Sequence, residues 1–258
     1  MEPTAVTIDF WNTLFGTENG PERDRARREV MTSELAQAGF SFDEPTLESA
    51  REAAHEHFRY HWLEKQRTPG AVELVEVMLA QLDAKVPDDA VERVAEVFAR
   101  GVIDHPPGLL PGAADAVERL SETVPLAIIS DTAFSPGSVL KELMGEVGIL
   151  DRFSAFVFSD ETGVAKPDPI AFDRALGALN VEARDAVHIG DIERTDVLGA
   201  RAAGMHAVLY RNADHLHQLA EDGTAAHGII DHWDDFDGVL EQLVGSGGAS
   251  SRATGGGE

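Results

Sequence analysis

The 258-residue chain contains no cysteine, which excludes structural disulfides, thiolate nucleophiles and zinc sites built on sulfur. A chain without cysteine suits a reducing cytosol. Basic residues are scarce: 21 lysines and arginines stand against 46 aspartates and glutamates, a formal charge of −25. Such a surface repels nucleic-acid backbones and anionic lipid headgroups, so neither nucleic acid nor membrane is expected as a partner. The acidic excess also serves solubility by itself. An anionic substrate would need a locally positive pocket or a divalent cation. No apolar stretch approaches the length that spans a bilayer. Met1-Glu2-Pro3-Thr4 lacks a basic region and runs into the first apolar segment, unlike a signal or transit peptide, so a soluble, cytoplasmic protein is expected. With 43% hydrophobic and 26% charged residues the chain has the composition of a globular protein with a real core. Its length fits one large domain or a core domain with an insertion.

The pattern of apolar residues divides the chain. A strand pattern at Ala5-Val6-Thr7-Ile8 gives way at Phe15-Gly16 and resumes only at Pro125-Leu126-Ala127-Ile128-Ile129. The intervening segment reads as helices at 21–38, 45 to about 66, 71–82 and 88–98, broken at Gly39 and Thr68-Pro69-Gly70 and closed by His105-Pro106-Pro107-Gly108. An all-helical insertion is therefore placed at residues 17–105. Beyond it, helices at 112–121, 136–147, 169–179 and 195–203 alternate with strands ending near Ser130, Phe158, Ile189 and Tyr210. That alternation predicts an α/β, doubly wound parallel sheet formed by residues 1–16 and 106–244. The Gly/Ser-rich residues 245–258 are expected to form a disordered tail.

Polar residues cluster where the predicted strands end. Asp9 opens Asp9-Phe10-Trp11-Asn12-Thr13; Ser130-Asp131-Thr132 follows the second strand; Lys166 lies in Val164-Ala165-Lys166-Pro167-Asp168-Pro169; Gly190-Asp191 and Asp196 follow Val187-His188-Ile189. In an open parallel sheet ligands bind at the carboxyl ends of strands, so these four segments can meet in one crevice. Each has a plain structural reading as well: Asp9 and Ser130 as loop caps, Asp196 as a helix N-cap, Lys166 as a solvated loop lysine.

In that order and context the segments resemble the haloacid dehalogenase superfamily of Asp-nucleophile hydrolases, in its phosphatase-like branch. The likeness covers about two-thirds of the chain, and the remainder fits that family's inserted helical cap. The resemblance implies a Rossmann-like core in which Asp9 attacks phosphorus to give an aspartyl-phosphate that water hydrolyses. It implies Mg²⁺ held by Asp9, Asp191, Asp196 and the backbone carbonyl of Trp11. Phosphate would be held by Ser130, Asn12, Lys166 and the backbone N–H groups of Asp131 and Thr132. Asp9, Lys166 and Ser130 are thus the expected catalytic residues, and a small phosphorylated metabolite the expected substrate.

One position departs from the phosphatase pattern. The second Asp expected two residues after the nucleophile is Trp11, and an indole can neither protonate a leaving oxygen nor activate water. Three consequences are open: the leaving group is intrinsically good, an acid comes from the cap or the substrate, or turnover is residual in a protein that binds phosphate ligands. Related dehalogenases carry an aromatic residue here, which makes attack of Asp9 on carbon the rival chemistry. Those enzymes work without metal, whereas this chain keeps the acidic pair Asp191 and Asp196. In the cap, His57, His61 and Glu64 share a helical face that can point into the site or pack on neighbouring helices. Lys65 allows a Schiff-base chemistry, and His57 with His61 lacks an evident third metal ligand in the sequence. Substrate identity and oligomeric state are not encoded in these patterns.

Overall fold

The structure, a computed structural model, describes residues 3–211 and 223–246. Its centre is a six-stranded, wholly parallel sheet of β1 (Ala5–Ile8), β2 (Leu126–Ser130), β3 (Ala155–Phe158), β4 (Ala186–Gly190), β5 (His206–Tyr210) and β6 (Gly228–Ile230). The strand order is β3-β2-β1-β4-β5-β6. The inner strands are runs of Ala, Val, Ile and Leu rather than alternating patterns, because helices cover both faces. From β1 the chain builds outward to β2 and β3 on one side, then returns to place β4 against the other. The carboxyl ends of β1 and β4 therefore flank the switch point where such sheets bind ligands.

Between β1 and β2 four helices gather: α1 (Gly20–Gln37), α2 (Glu44–Lys65), α3 (Ala71–Gln81) and α4 (Asp88–Asp104). They bury an apolar centre of their own, including Met31, Leu35, Leu74, Val75, Leu79, Val94 and Phe98. Asp43 caps α2 by accepting from the Thr46 N–H at 3.0 Å, with Pro45 in the first turn. Two strands of linker join this block to the sheet, Gly16 N–H donating to Gly108 O and Leu110 N–H to Leu14 O, each at 2.9 Å. Arg23 fastens both linkers, its guanidinium donating to Glu18 O (2.7 Å), His105 O (2.8 Å) and Thr17 O (3.1 Å).

The sheet is flanked by α5 (Ala113–Ser121), α6 (Gly137–Glu146), the single turn α7 (Ser159–Thr162), α8 (Pro169–Leu179), α9 (Leu198–Ala202) and α10 (Phe236–Ser246). One apolar cluster joins Val6, Ile8, Ile128 and Ile189 to Val117, Leu140, Leu143 and Phe236; the other joins Ala5, Ala127 and Ile129 to Phe172, Ala175 and Ala200.

The sequence-based boundaries hold for most elements, with several differences. β5 is not the last strand: β6 adds three residues, too short and too glycine-rich to show a period. α4 continues six residues past Phe98 to Asp104. Gly245 and Ser246 close α10, where a tail had been expected; residues 247–258 of that tail lie outside the described residues. The helix expected at 195–203 is entered through a π-helical turn, Glu193–Val197.

Candidate active site

Asp9 leaves the end of β1 almost fully buried, at 6% exposure. Its backbone N–H donates to Ile189 O at 2.9 Å, locking the loop to β4. The loop turns sharply because Asn12 takes the left-handed conformation (φ 58°), which Asn tolerates better than most residues. Leu14 N–H and Phe15 N–H both return to Phe10 O, and Trp233 Nε1 donates to Thr13 O at 2.8 Å from the far end of the chain. The nucleophile candidate is thus held on a braced turn.

Lys166 reaches this carboxylate from the loop ahead of α8, whose start is capped by Asp168 accepting from Ile170 N–H. Lys166 Nζ donates to Asp9 Oδ1 at 2.5 Å, to Asp196 Oδ1 at 2.6 Å and to Ile129 O at 3.0 Å. Asp196 accepts three further hydrogen bonds: His188 Nε2–H at 3.1 Å, Ile192 N–H at 3.1 Å and Thr195 Oγ1–H at 3.0 Å. A carboxylate offers about four lone-pair sites, so these bonds occupy Asp196 fully. Since Asp196 can only accept, His188 carries its proton on Nε2 and accepts the Thr7 hydroxyl at Nδ1, 2.8 Å away. Gly190 makes the arrangement sterically possible, for a Cβ there would stand 2.3 Å from Asp196 Cγ.

Burial and charge act against each other in this cluster. Burial disfavours the Lys166 charge, but the carboxylates of Asp196, Asp9 and Asp131 outweigh it and raise its pKa, keeping it cationic. Asp9 is raised by burial despite Lys166, and Asp191 is raised well above the carboxylate range by burial and by Asp9 and Asp196. Asp196 is lowered: burial would raise it, but Lys166 and His188 prevail. Burial lowers His188 and keeps the imidazole neutral.

The cap closes the crevice from above. Trp62 Nε1 donates to Asp131 Oδ2 at 2.7 Å, while Asp131 Oδ1 accepts the Lys166 backbone N–H at 2.9 Å. Arg194 donates to Leu63 O at 2.6 Å, Ala165 N–H to Gln66 O at 2.6 Å, and Thr68 meets the Ser159 hydroxyl at 2.5 Å. A cavity of about 220 Å³ remains, lined by Asp9, Asn12, Asp131, Lys166, Asp191 and Asp196 from the core and by Phe58 and Trp62 from α2. Trp11 lines it as well.

Several expected positions behave differently. Thr132 does not open onto the cavity, because its N–H is donated to Ser159 Oγ (2.8 Å) and its hydroxyl to Asp160 Oδ1 (3.0 Å). The expected use of its backbone N–H for phosphate is therefore replaced by a structural bond. Ser130 is buried and is not among the residues lining the cavity, with its Oγ lacking any partner. His57 and His61 face away from the cavity: His57 Nε2 lies 2.7 Å from Glu73 Oε1, and His61 Nδ1 donates to His57 O at 2.9 Å. With Glu73 they form the third-ligand set that the sequence did not reveal, although Arg67 also grips both Glu73 oxygens. Lys65 lies over the Tyr60 ring, 5.4 Å from its centre, and Glu64 lies 3.8 Å from Arg194. None of these four cap residues lines the cavity. Sequence reasoning missed His188, hidden as a strand residue, and Phe58 and Trp62, whose i, i+4 spacing on α2 was the available signal.

The donor set suits a hard divalent cation. Asp9, Asp131, Asp191 and Asp196 surround the one lysine, leaving a surplus of negative charge, and Asp191 Oδ2 is buried with no hydrogen-bond partner. Carboxylate oxygens so placed are what Mg²⁺ takes as ligands.

Comparison with known proteins places the chain in a family. The model of the haloacid dehalogenase-like hydrolases matches residues 3–204, and the chain belongs to that family of hydrolases. It is 25% identical to a ribulose-1,5-bisphosphate 5-phosphatase of Halopiger xanaduensis over 93% of this chain and 99% of that protein. Its fold is that of a 2-haloacid dehalogenase from Pseudomonas syringae (TM-score 0.70, 24% identity, 93% of this chain and 98% of the other). A phosphatase from Thermococcus onnurineus is also similar (TM-score 0.62, 20% identity, 92% and 97%).

Proposed function

We propose that this hydrolase is a Mg²⁺-dependent phosphoric monoester hydrolase of the cytoplasm acting on a small phosphorylated metabolite. The observation that carries the reading is the Lys166 ammonium between Asp9 and Asp196, 2.5 and 2.6 Å away, with the unpartnered Asp191 oxygen beside them. Asp9 attacks phosphorus, the alcohol departs, and water then hydrolyses the aspartyl-phosphate. Lys166 screens the charge on the nucleophile and holds the phosphoryl oxygens, helped by Ser130 Oγ and Asn12. Asp9, Asp191 and the Trp11 carbonyl would hold the cation, which when bound neutralises phosphoryl charge. Asp196, with its four hydrogen bonds filled, orients Lys166 instead of ligating directly. His188 holds Asp196 from behind.

Attack on a carbon–halogen bond is the second reading, favoured by the aromatic Trp11 after the nucleophile. The surplus of carboxylates weighs against it, since halide displacement needs no cation. Phosphate release from acyl, aryl and alkyl phosphates, with Mg²⁺ and with chelator, separates the readings. Activity abolished by chelator and by Asp9→Asn, about 10⁴-fold or more, is expected. Halide release indifferent to chelator would instead establish the second reading.

A further inference from the structure

The cavity is asymmetric in its chemistry. Its floor carries Asp9, Lys166, Asp191 and Asp196, whereas Phe58 and Trp62 of the cap present aromatic rings from above and Trp11 lines it from the loop after β1. Phe58 and Trp62 lie one turn apart on α2 with ring centroids 6.0 Å apart, and the Trp62 indole is fixed by its bond to Asp131. Trp11 is held edge-on against Phe10, 5.0 Å between centroids. At about 220 Å³ the space is smaller than the 300–1,000 Å³ of pockets for drug-sized ligands, so it suits one small ring beside a phosphate.

Two features narrow the leaving group. First, Lys166 is the only basic residue lining the cavity among the described residues, and it is committed to Asp9 and Asp196. Residues 212–222 contain no lysine or arginine that could add one. A carboxylate or second phosphate on the substrate would lie against aromatic rings and the Asp131 carboxylate, as a buried charge without a partner. Second, no side chain lining the cavity is free to protonate the leaving oxygen. Trp11 and Asn12 do not titrate usefully, and Asp131, although burial raises its pKa to about 6, has both oxygens engaged as acceptors, by Trp62 Nε1–H and by the Lys166 backbone N–H.

Building on the phosphatase reading, we infer that the substrate is a phosphate monoester of an uncharged, ring-bearing alcohol acidic enough to leave as its anion, a phenol-type ester. As the bond from Asp9 to phosphorus forms, the bond from phosphorus to the ring oxygen breaks. The aryloxide leaves with the electron pair and is protonated by water. A second water then attacks the phosphorus of the aspartyl-phosphate, releasing phosphate and restoring the carboxylate. Phe58 and Trp62 determine specificity by packing on the ring.

The test uses the full chain with Mg²⁺ and compares ring-substituted phenyl phosphates, acetyl phosphate, butyl phosphate, phosphoglycolate and phosphoserine. Phenyl phosphate is expected to exceed the two anionic alkyl esters by about 100-fold in kcat/KM, the cost of an unpaired buried charge. The rate should rise steeply as ring substituents lower the phenol pKa from about 10. Phe58→Leu should raise KM for phenyl phosphate about tenfold more than KM for acetyl phosphate, which has no ring, with the urea midpoint of the variant reporting intact folding; an equal change for both overturns the role given to Phe58. Equal or better turnover of phosphoglycolate or phosphoserine, or rates independent of leaving-group pKa, overturns the inference while the phosphatase reading stands. No phosphate from any ester overturns both.

Discussion

Lys166 in the core and Arg93 on the cap each hold two carboxylates, and the two arrangements differ in almost nothing but solvent. Lys166 meets Asp9 and Asp196 at 2.5 and 2.6 Å with all three side chains at most 8% exposed. Arg93, half exposed, meets the largely buried Glu34 at 2.7 Å and the exposed Asp89 at 2.6 Å. Around Lys166 desolvation is the largest influence on every partner, so protonation states are displaced and losing one charge strands the others. Around Arg93 water and salt take up the same charges at little cost. Similar distances therefore carry different energies in the two regions, because one triad is wholly buried and the other only in part.

Lys166→Met breaks the comparison most severely. It leaves Asp9, Asp131, Asp191 and Asp196 without their cation and should lower the unfolding free energy by about 3–5 kcal/mol, read from urea titrations of cation-free protein. Adding Mg²⁺ should recover part of that loss, because the cation replaces the missing positive charge. Gly190→Ala comes next. A Cβ 2.3 Å from Asp196 Cγ must push a carboxylate already pinned by four hydrogen bonds, costing about 1–3 kcal/mol and at least tenfold in kcat.

Smaller effects are expected on the cap. Glu73 is lowered from 4.5 to about 2, chiefly by hydrogen bonding to Arg67 despite partial burial, with His57 assisting. A carboxylate depressed on folding contributes stability above about 4.5 that is lost as pH falls toward about 2. Glu73→Gln should therefore flatten the fall of the urea midpoint between those values, modestly, since Glu73 and Arg67 are each more than a third exposed. Arg93→Ala should lower the urea midpoint modestly at physiological salt, well short of Lys166→Met, because Arg93 and Asp89 are exposed although Glu34 is not. A loss as large as that of Lys166→Met would show that exposure is not what separates the two triads.

The sheet was legible because its strands are short β-branched and apolar runs buried on both sides, and the helical insertion because its spacing and its Gly and Pro breaks are local signals. β6 escaped because Gly228-Ile229-Ile230 has too few residues to show a period and is a strand only by pairing with β5. Asp9 and Asp191 were legible as polar residues just past strand ends, and Lys166 and Asp196 as members of the segments that follow the third and fourth strands, in a fixed order. His188 was not, since one polar residue inside an apolar strand gives no hint that it supports a carboxylate eight residues later. The helical face of His57 and His61 also misled: rotation of α2 turns it to Glu73 and brings Phe58 and Trp62 over the site, a choice made by packing against α3 and the core.

The sequence by itself determined the order of the first five strands and most of the helices, the insertion after the first strand, and which carboxylates and lysine lie in the segments after the strands, because these follow from local periodicity and from residues a few positions apart. Only the tertiary structure decided that Asp196 spends its oxygens on Lys166, His188 and its own loop, that Thr132 is occupied while Ser130 and Asp191 are left unpartnered, and that aromatic rings roof the cavity. Those outcomes depend on how separate strands, loops and the cap are seated against one another, which is set by the parallel register of β1, β2 and β4 and by the docking of the cap rather than by local periodicity.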